Sequence, residues 1–330
     1  MSERNSGFTL IEFLVVIAIF AVIIAMATPA ILSSREAARR NTCSHHLREI
    51  WIGVQSYQDF HRSLPAGVTA ERNLIPPRED GEFRSWVLPL LGDLKQPLLA
   101  EKFTDQVTLT SDTGRTLRHY QIPMMLCPSD DAPPRGTSTG APAQSNYAGC
   151  HDSRATAIAD GNTGLLTLNQ RFSLNEIPDG SAYTILLGEL RRSPDDLGWA
   201  SGTRGTLRNA GTPINRTLDG FRSQQDAKPL DDPFSDSEVD EIRNRELGIE
   251  TPIDFEENTD GENPPRKSNR TPPVVLSADD PGGFGSYHPG GCLFAMGDGR
   301  QSFLSESINL QVLQRLANRE DGEEVKPNQF

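Results

Sequence analysis

The sequence predicts an α+β protein: a long N-terminal helix, transmembrane in its first half, packed on a mostly antiparallel β body with long loops. Three observations predict it. An unbroken apolar stretch runs from Phe13 to Ala27. Behind it, apolar residues recur every three to four positions at Leu47, Ile50, Val54 and Tyr57, the period of a one-sided helix. Beyond Leu64 the apolar runs are short and separated by Gly and Pro, the pattern of strands and turns.

The first element covers residues 8–32, where Glu12 is the single ionisable side chain. As a helix it is roughly 37 Å long, enough to cross a hydrocarbon core of about 30 Å. A carboxylate inside such a span costs roughly 2.5–3.5 kcal/mol unless it meets a partner. Glu12 is therefore a candidate assembly residue. The polar residues 1–7, with Arg4, precede the apolar run, so they read as a leader cut ahead of the hydrophobic segment, opposite to an ordinary secretory signal. Ala25-Met26-Ala27 ahead of Thr28 is a competing small-x-small cut site. Glu12 inside the run and Pro29 just after that cut argue against it.

Pro29 lacks an N–H and predicts a bend, after which an amphipathic helix continues over 33–62. Arg39, Arg40, Arg48 and Glu49 are expected to face outward. The helix should stop before Leu64-Pro65-Ala66-Gly67, because a residue preceding proline disfavours helix. The body then spans 63–318. Within it Ser85–Leu91 and Tyr120–Cys127 read as short apolar segments, and Ala182–Leu190 as a strand. Asp298-Gly299, between Leu293-Phe294 and Phe303-Leu304, reads as a hairpin turn. Residues 222–273 are acidic, rich in Pro and Asn, and poor in aromatics, which predicts a loop-like insert. Asn309–Ala317 has the spacing of a short amphipathic helix, and 319–330 form a polar tail.

Composition bounds the partners. The 330 residues carry a net charge of −13 at a mean hydropathy of −0.47, so the part after the anchor is water-soluble, with room for one large or two small domains. No basic stripe is present to replace counterions on phosphates, which excludes nucleic acid as a partner.

Gly7, Phe8, Thr9, Leu10, Ile11 and Glu12 resemble the processing motif of the type IV pilin and type II secretion pseudopilin superfamily. The resemblance implies that a prepilin peptidase cuts after Gly7 and N-methylates Phe8. It also implies that Glu12 meets the Phe8 amine of a neighbouring pilin-like subunit. Further segments resemble the planctomycete-type family of prepilin-like proteins with a domain of unknown function: Cys127-Pro128-Ser129-Asp130, Ser145-Asn146-Tyr147-Ala148-Gly149, Ile177-Pro178-Asp179-Gly180-Ser181, Gly188-Glu189, and a C-terminal signature of His288, nine residues, then Asp298-Gly299. The family usually ends in Phe-Ala-Asp-Gly-Ser, whereas this chain has Met296-Gly297 between Ala295 and Asp298.

The resemblance implies a pilin-like fold in the cytoplasmic membrane, crossing once with leader inside and body outside, and a structural subunit rather than an enzyme. The alternative is a membrane-tethered protein that binds a solute or a surface outside the cytoplasm.

Among candidate site residues, His288 and Asp298 could form an imidazole–carboxylate pair, but no third member accompanies them. The expectation is a structural turn and anchoring pair, with no catalytic residue and no cofactor. Secretion-type pseudopilins often hold calcium through loop carboxylates, for which Asp130, Asp131, Asp152 and Asp298 are the candidates, none at EF-hand spacing. Cys43 with His45 and His46 lacks a second ligand pair at zinc spacing, so no metal is expected. Cys43, Cys127, Cys150 and Cys292 make an even set in a segment expected to be exported. Of three connectivities the preferred one joins Cys43 to Cys127 and leaves Cys150 with Cys292. Free buried thiols are the alternative.

Overall fold

Residues Leu10–His61 form one helix, α1, in a computed structural model that describes residues 10–104, 106–134, 136, 140–216, 280–323 and 325. The helix is unbroken at Pro29, although the proline cannot donate to the carbonyl four residues back. Next to it, the Thr28 hydroxyl donates to the Ile24 carbonyl at 2.7 Å. The helix ends as the sequence predicts. Arg62 takes a left-handed φ of 62° while its N–H closes the last turn on the Gln58 carbonyl at 2.7 Å, and Leu64-Pro65 leads away.

The second half of α1 is the spine of the core. Cys43, Leu47, Ile50 and Val54 are fully buried and Tyr57 nearly so; removing each such Leu, Ile or Val side chain from water stabilises by about 1.5–3 kcal/mol. Arg39 and Arg48 face solvent, but Arg40 and Glu49 are half-buried. Arg40 departs furthest from the outward expectation. Its guanidinium lies 3.9 Å from the centroid of the Phe303 ring and donates to the Pro289 carbonyl at 3.2 Å, so a flat cation covers an aromatic face.

Small antiparallel pairs lead into the body: β1 (Val68–Thr69) with β3 (Arg84–Ser85), and β2 (Leu74–Ile75) with β5 (Ile158–Ala159). Helices α2 (Pro97–Lys102) and α3 (Asp112–Leu117) are each shorter than two turns. The main sheet has five strands in the order β7 (Leu207–Asn209), β4 (Tyr147–Asp152), β6 (Ile185–Glu189), β8 (Gly291–Met296), β9 (Gln301–Ser305). Only the β4–β7 pair is parallel. Ser85–Leu91 and Tyr120–Cys127 instead contain short 3₁₀ turns, where prolines at the first helical positions suit a tight turn.

Both faces of the sheet are covered; strand alternation assigns the residues of β4 and β8 to each, and in β6 a register shift between Ile185 and Leu187 sends these two to opposite faces. Tyr147 of β4, Leu187 of β6, and Leu293 and Ala295 of β8 join the core built on α1. Ala148, Cys150, Ile185, Cys292, Phe294 and Met296 join a second core. That core is closed by Leu313 and Leu316 of the C-terminal helix α4 (Leu310–Ala317), whose N-cap Asn309 accepts from the Gln311 N–H at 2.8 Å. Arg319, within the expected polar tail, is buried and donates to the Asn162 and Gly164 carbonyls. The acidic insert expected over 222–273 lies outside the described residues, as do Gly7 and Phe8 and the side chain of Glu12.

Candidate functional site

Two features of α1 bear on function. The first is its N-terminal half, where Leu10, Phe13, Ile17, Phe20, Ile24, Ile31 and Leu32 are all exposed. A continuous apolar rod of this length meets the size and composition needed to cross a membrane. An apolar surface so large marks a site of contact with lipid or protein.

The second is a buried junction where α1 meets the body. Glu36 and Cys43 come from α1, Cys127 and Ser129 from the segment before β4, Glu189 from the end of β6, and His288 from the turn entering β8. Leu187 faces α1, so Glu189, two residues on, faces it as well. His288 Nδ1 stands 2.5 Å from Glu36 Oε1 and 3.3 Å from the Ser129 hydroxyl, which itself donates to Glu36 Oε2 at 3.1 Å. On its other edge, Nε2 lies 3.5 Å from Cys127 Sγ and 3.3 Å from Glu189 Oε1. The Cys43 and Cys127 sulfurs are 2.8 Å apart.

Backbone contacts hold these groups in place. The Cys127 N–H donates to Asn146 Oδ1 at 2.9 Å, the His288 N–H to the Ser286 hydroxyl at 3.0 Å, and the Leu293 N–H to Glu189 Oε2 at 2.9 Å. Burial by itself opposes charge on His288, but its contacts with Cys127, Glu189 and Glu36 outweigh it and push the imidazole up to about 10. The hydrogen bond from Cys43 draws the Cys127 thiol down to about 6, against burial and with help from His288, while the same contact and burial push Cys43 up. One ligand atom from each of Cys43, Cys127, Glu189 and His288 lies within 4.8 Å of all the others. Such a set can share a tightly held proton or take a cation in its place.

The profile of the family described as "Protein of unknown function (DUF1559)" matches residues 33–311, which takes in every residue of this junction. The chain belongs to the DUF1559 family. The prokaryotic N-terminal methylation motif matches residues 3–28, so this family member is a prepilin-like, processed protein with a membrane anchor. No curated protein matches the chain. No solved structure matches it either.

His288 and Asp298 do not form a pair. They lie at opposite ends of β8. Exposed Asp298 accepts from the Arg300 N–H at 2.9 Å, and Gly299 takes a φ of 89° in the hairpin that the sequence predicts between β8 and β9.

None of the four cysteines is bridged. Cys43 and Cys127 do come together, but Cys150 and Cys292 do not. They sit on β4 and β8 with β6 between, at least about 9–10 Å apart at usual strand spacing and further offset along the strands by the register, beyond disulfide reach. Cys150 Sγ faces the carbonyls of Asp152 and Ala317, and Cys292 Sγ that of Glu189.

The calcium candidates are also dispersed among protein donors. Asp130 pairs with Arg192 and Asn146, and Asp152 accepts from Asn162, Thr156, Thr163 and the Arg154 N–H. His45 is exposed, and His46 turns to the Leu126 carbonyl at 3.1 Å. Cys43 therefore finds its neighbours across the fold rather than along the helix.

Proposed function

We propose that this protein is a pilin- or pseudopilin-type structural subunit rather than an enzyme. In this reading a prepilin peptidase cuts after Gly7, the leader lies on the cytoplasmic side, the body lies outside, and neighbouring copies or other pilin-like subunits pack through Glu12 and the apolar half of α1. The supporting observation is the exposed apolar rod from Leu10 to Leu32, continuous with the helix that organises the core, in a chain that carries the N-terminal methylation motif. A tether would need only to be apolar. A costly carboxylate inside it is accounted for by a partner charge in an assembly.

The test is cysteine crosslinking in membranes with Ile17→Cys and Ile24→Cys in turn. Helix-to-helix crosslinks are expected, and Glu12→Ala should abolish them while leaving membrane insertion intact. Crosslinks that persist in Glu12→Ala would sink the reading. Absence of crosslinks in either background would favour the second reading, a membrane-tethered binding protein. That reading draws on a surface cleft of about 700 Å³ whose lining includes Glu71, Arg72, Glu79, Glu82 and Arg84.

A further inference from the structure

We propose that Cys43, Cys127, Glu189 and His288 form a tetrahedral site for a zinc-class divalent ion that ties α1 to the sheet. The inference is independent of whether the protein assembles into a filament.

Donor chemistry comes first. Two sulfurs, one imidazole nitrogen and one carboxylate oxygen are the ligand types that zinc takes, and thiolates select against calcium and magnesium. All four residues are buried, which suits a closed, structural site with four protein ligands rather than an open catalytic one.

Distances come second. With bonds of about 2.3 Å to sulfur and about 2.0 Å to nitrogen and oxygen, a tetrahedron has edges of roughly 3.5 Å for N···S and about 3.3 Å for N···O. The observed Nε2···Sγ of Cys127 is 3.5 Å and Nε2···Oε1 of Glu189 is 3.3 Å. Both match. The two sulfurs, at 2.8 Å, must open by about 1 Å to reach the roughly 3.8 Å edge of a zinc-bound pair.

The surroundings supply two further observations. Glu189 Oε1 is buried, and its contact with His288 Nε2 is a long 3.3 Å, so a metal bond would give this charged oxygen a closer partner. Glu36 engages Nδ1 of His288 at 2.5 Å. A carboxylate there places the ring proton on Nδ1 and turns the Nε2 lone pair toward Cys127 and Glu189, the usual outer support of a metal-bound histidine. Binding replaces the protons on the ligand atoms, with both thiols ionised and Nε2 bare, and those protons pass to solvent.

The competing outcome is oxidation. If the sulfurs close to a bond of about 2.05 Å, two ligands vanish and the site is lost. The test takes full-length protein from membranes into detergent without reductant or chelator, then measures bound metal and intact mass. One zinc per chain and a fully reduced mass are expected. After zinc removal, cobalt(II) added alone should give thiolate-to-cobalt charge-transfer bands and tetrahedral visible bands.

Cys127→Ser and Glu189→Gln should each lower the stoichiometry, and His45→Ala should not. Glu36→Gln keeps all four ligands and should weaken zinc 10–100-fold in chelator competition. Should the ligand variants fail to fold, the cobalt spectrum of the unaltered protein and the Glu36→Gln competition still decide. The proposal is overturned by a chain two hydrogens lighter with a Cys43–Cys127 bond and no metal. It is equally overturned by a reduced chain that takes up neither ion, or by zinc retained in Cys127→Ser.

Discussion

Trp51 and Gly299 fit each other in shape: a Cβ added to Gly299 would stand 2.6 Å from Cε2 of the Trp51 indole, and the same indole donates from Nε1 to the Gly297 carbonyl at 3.0 Å. The turn after β8 is thus docked on α1. At the other end of β8, His288 reaches Glu36 on the same helix. From Glu36 to Trp51 the helix rises about 22 Å, and the six residues of β8 span about 20 Å. Nine residues between His288 and Asp298 are therefore the length that lets one strand grip the helix at two levels.

Gly299→Ala is expected to destabilise the protein by at least about 1–2 kcal/mol, because alanine pays for a left-handed φ and its methyl meets the indole ring. Denaturant unfolding in detergent measures it. A midpoint equal to that of the unaltered chain would contradict the docking of the turn.

Asp130 and Arg192 form a buried ion pair, both side chains nearly inaccessible, and Asp130 also accepts from Asn146. Breaking such a pair leaves one charge buried without compensation, for about 3–5 kcal/mol. Arg192→Met should show that loss in unfolding experiments. A loss below about 1 kcal/mol would mean that the pair is solvated in solution.

His151 is fully buried, and burial first, with the Arg208 charge, pulls its imidazole from an ordinary 6.5 to about 4 despite Asp152 nearby. The unfolded chain therefore binds a proton at higher pH than the native one. Stability is complete above pH 6.5 and is lost as pH falls toward 4, by roughly 3 kcal/mol from this residue. His151→Gln should flatten the stability profile across that window. An unchanged slope between pH 6.5 and 4 would assign the acid sensitivity elsewhere.

Processing is checked by intact mass and N-terminal sequencing of protein from cells with and without the prepilin peptidase. An N-methylated Phe8 that depends on the peptidase is expected. A start at Met1 in both strains, or at Thr28, would exclude the cleavage implied by Gly7 and Phe8.

Much of the fold was legible because it rests on periodicity. Leu47, Ile50, Val54 and Tyr57 announce the buried stripe of α1, and Asp298-Gly299 between two apolar pairs announces the β8–β9 hairpin. Arg40 was misplaced, since its position on the helix predicts an outward course while Phe303, far along the chain, supplies a ring for it to cover. The junction was not legible as a unit. Cys43, Cys127, Glu189 and His288 each stand out within a motif, yet they come from four segments. Ligand spacing along the chain instead offers His45, which the helical twist turns to solvent, and His46, whose ring is engaged by the Leu126 carbonyl. The sequence also invites pairing His288 with Asp298, because it does not show that a strand holds them apart.

Because one helix is both the apolar rod and the spine of the body, the anchor cannot be treated as a detachable accessory. Removing all of α1 to obtain a water-soluble protein would also remove Cys43, Leu47, Ile50 and Val54 from the core. The severing point that spares the body lies in the few residues between Leu32 and Glu36, past the last exposed apolar side chain of the rod and before the first contact with His288. A protease acting there would shed a domain that keeps its core, whereas one cutting ten residues later would also detach Glu36 from His288.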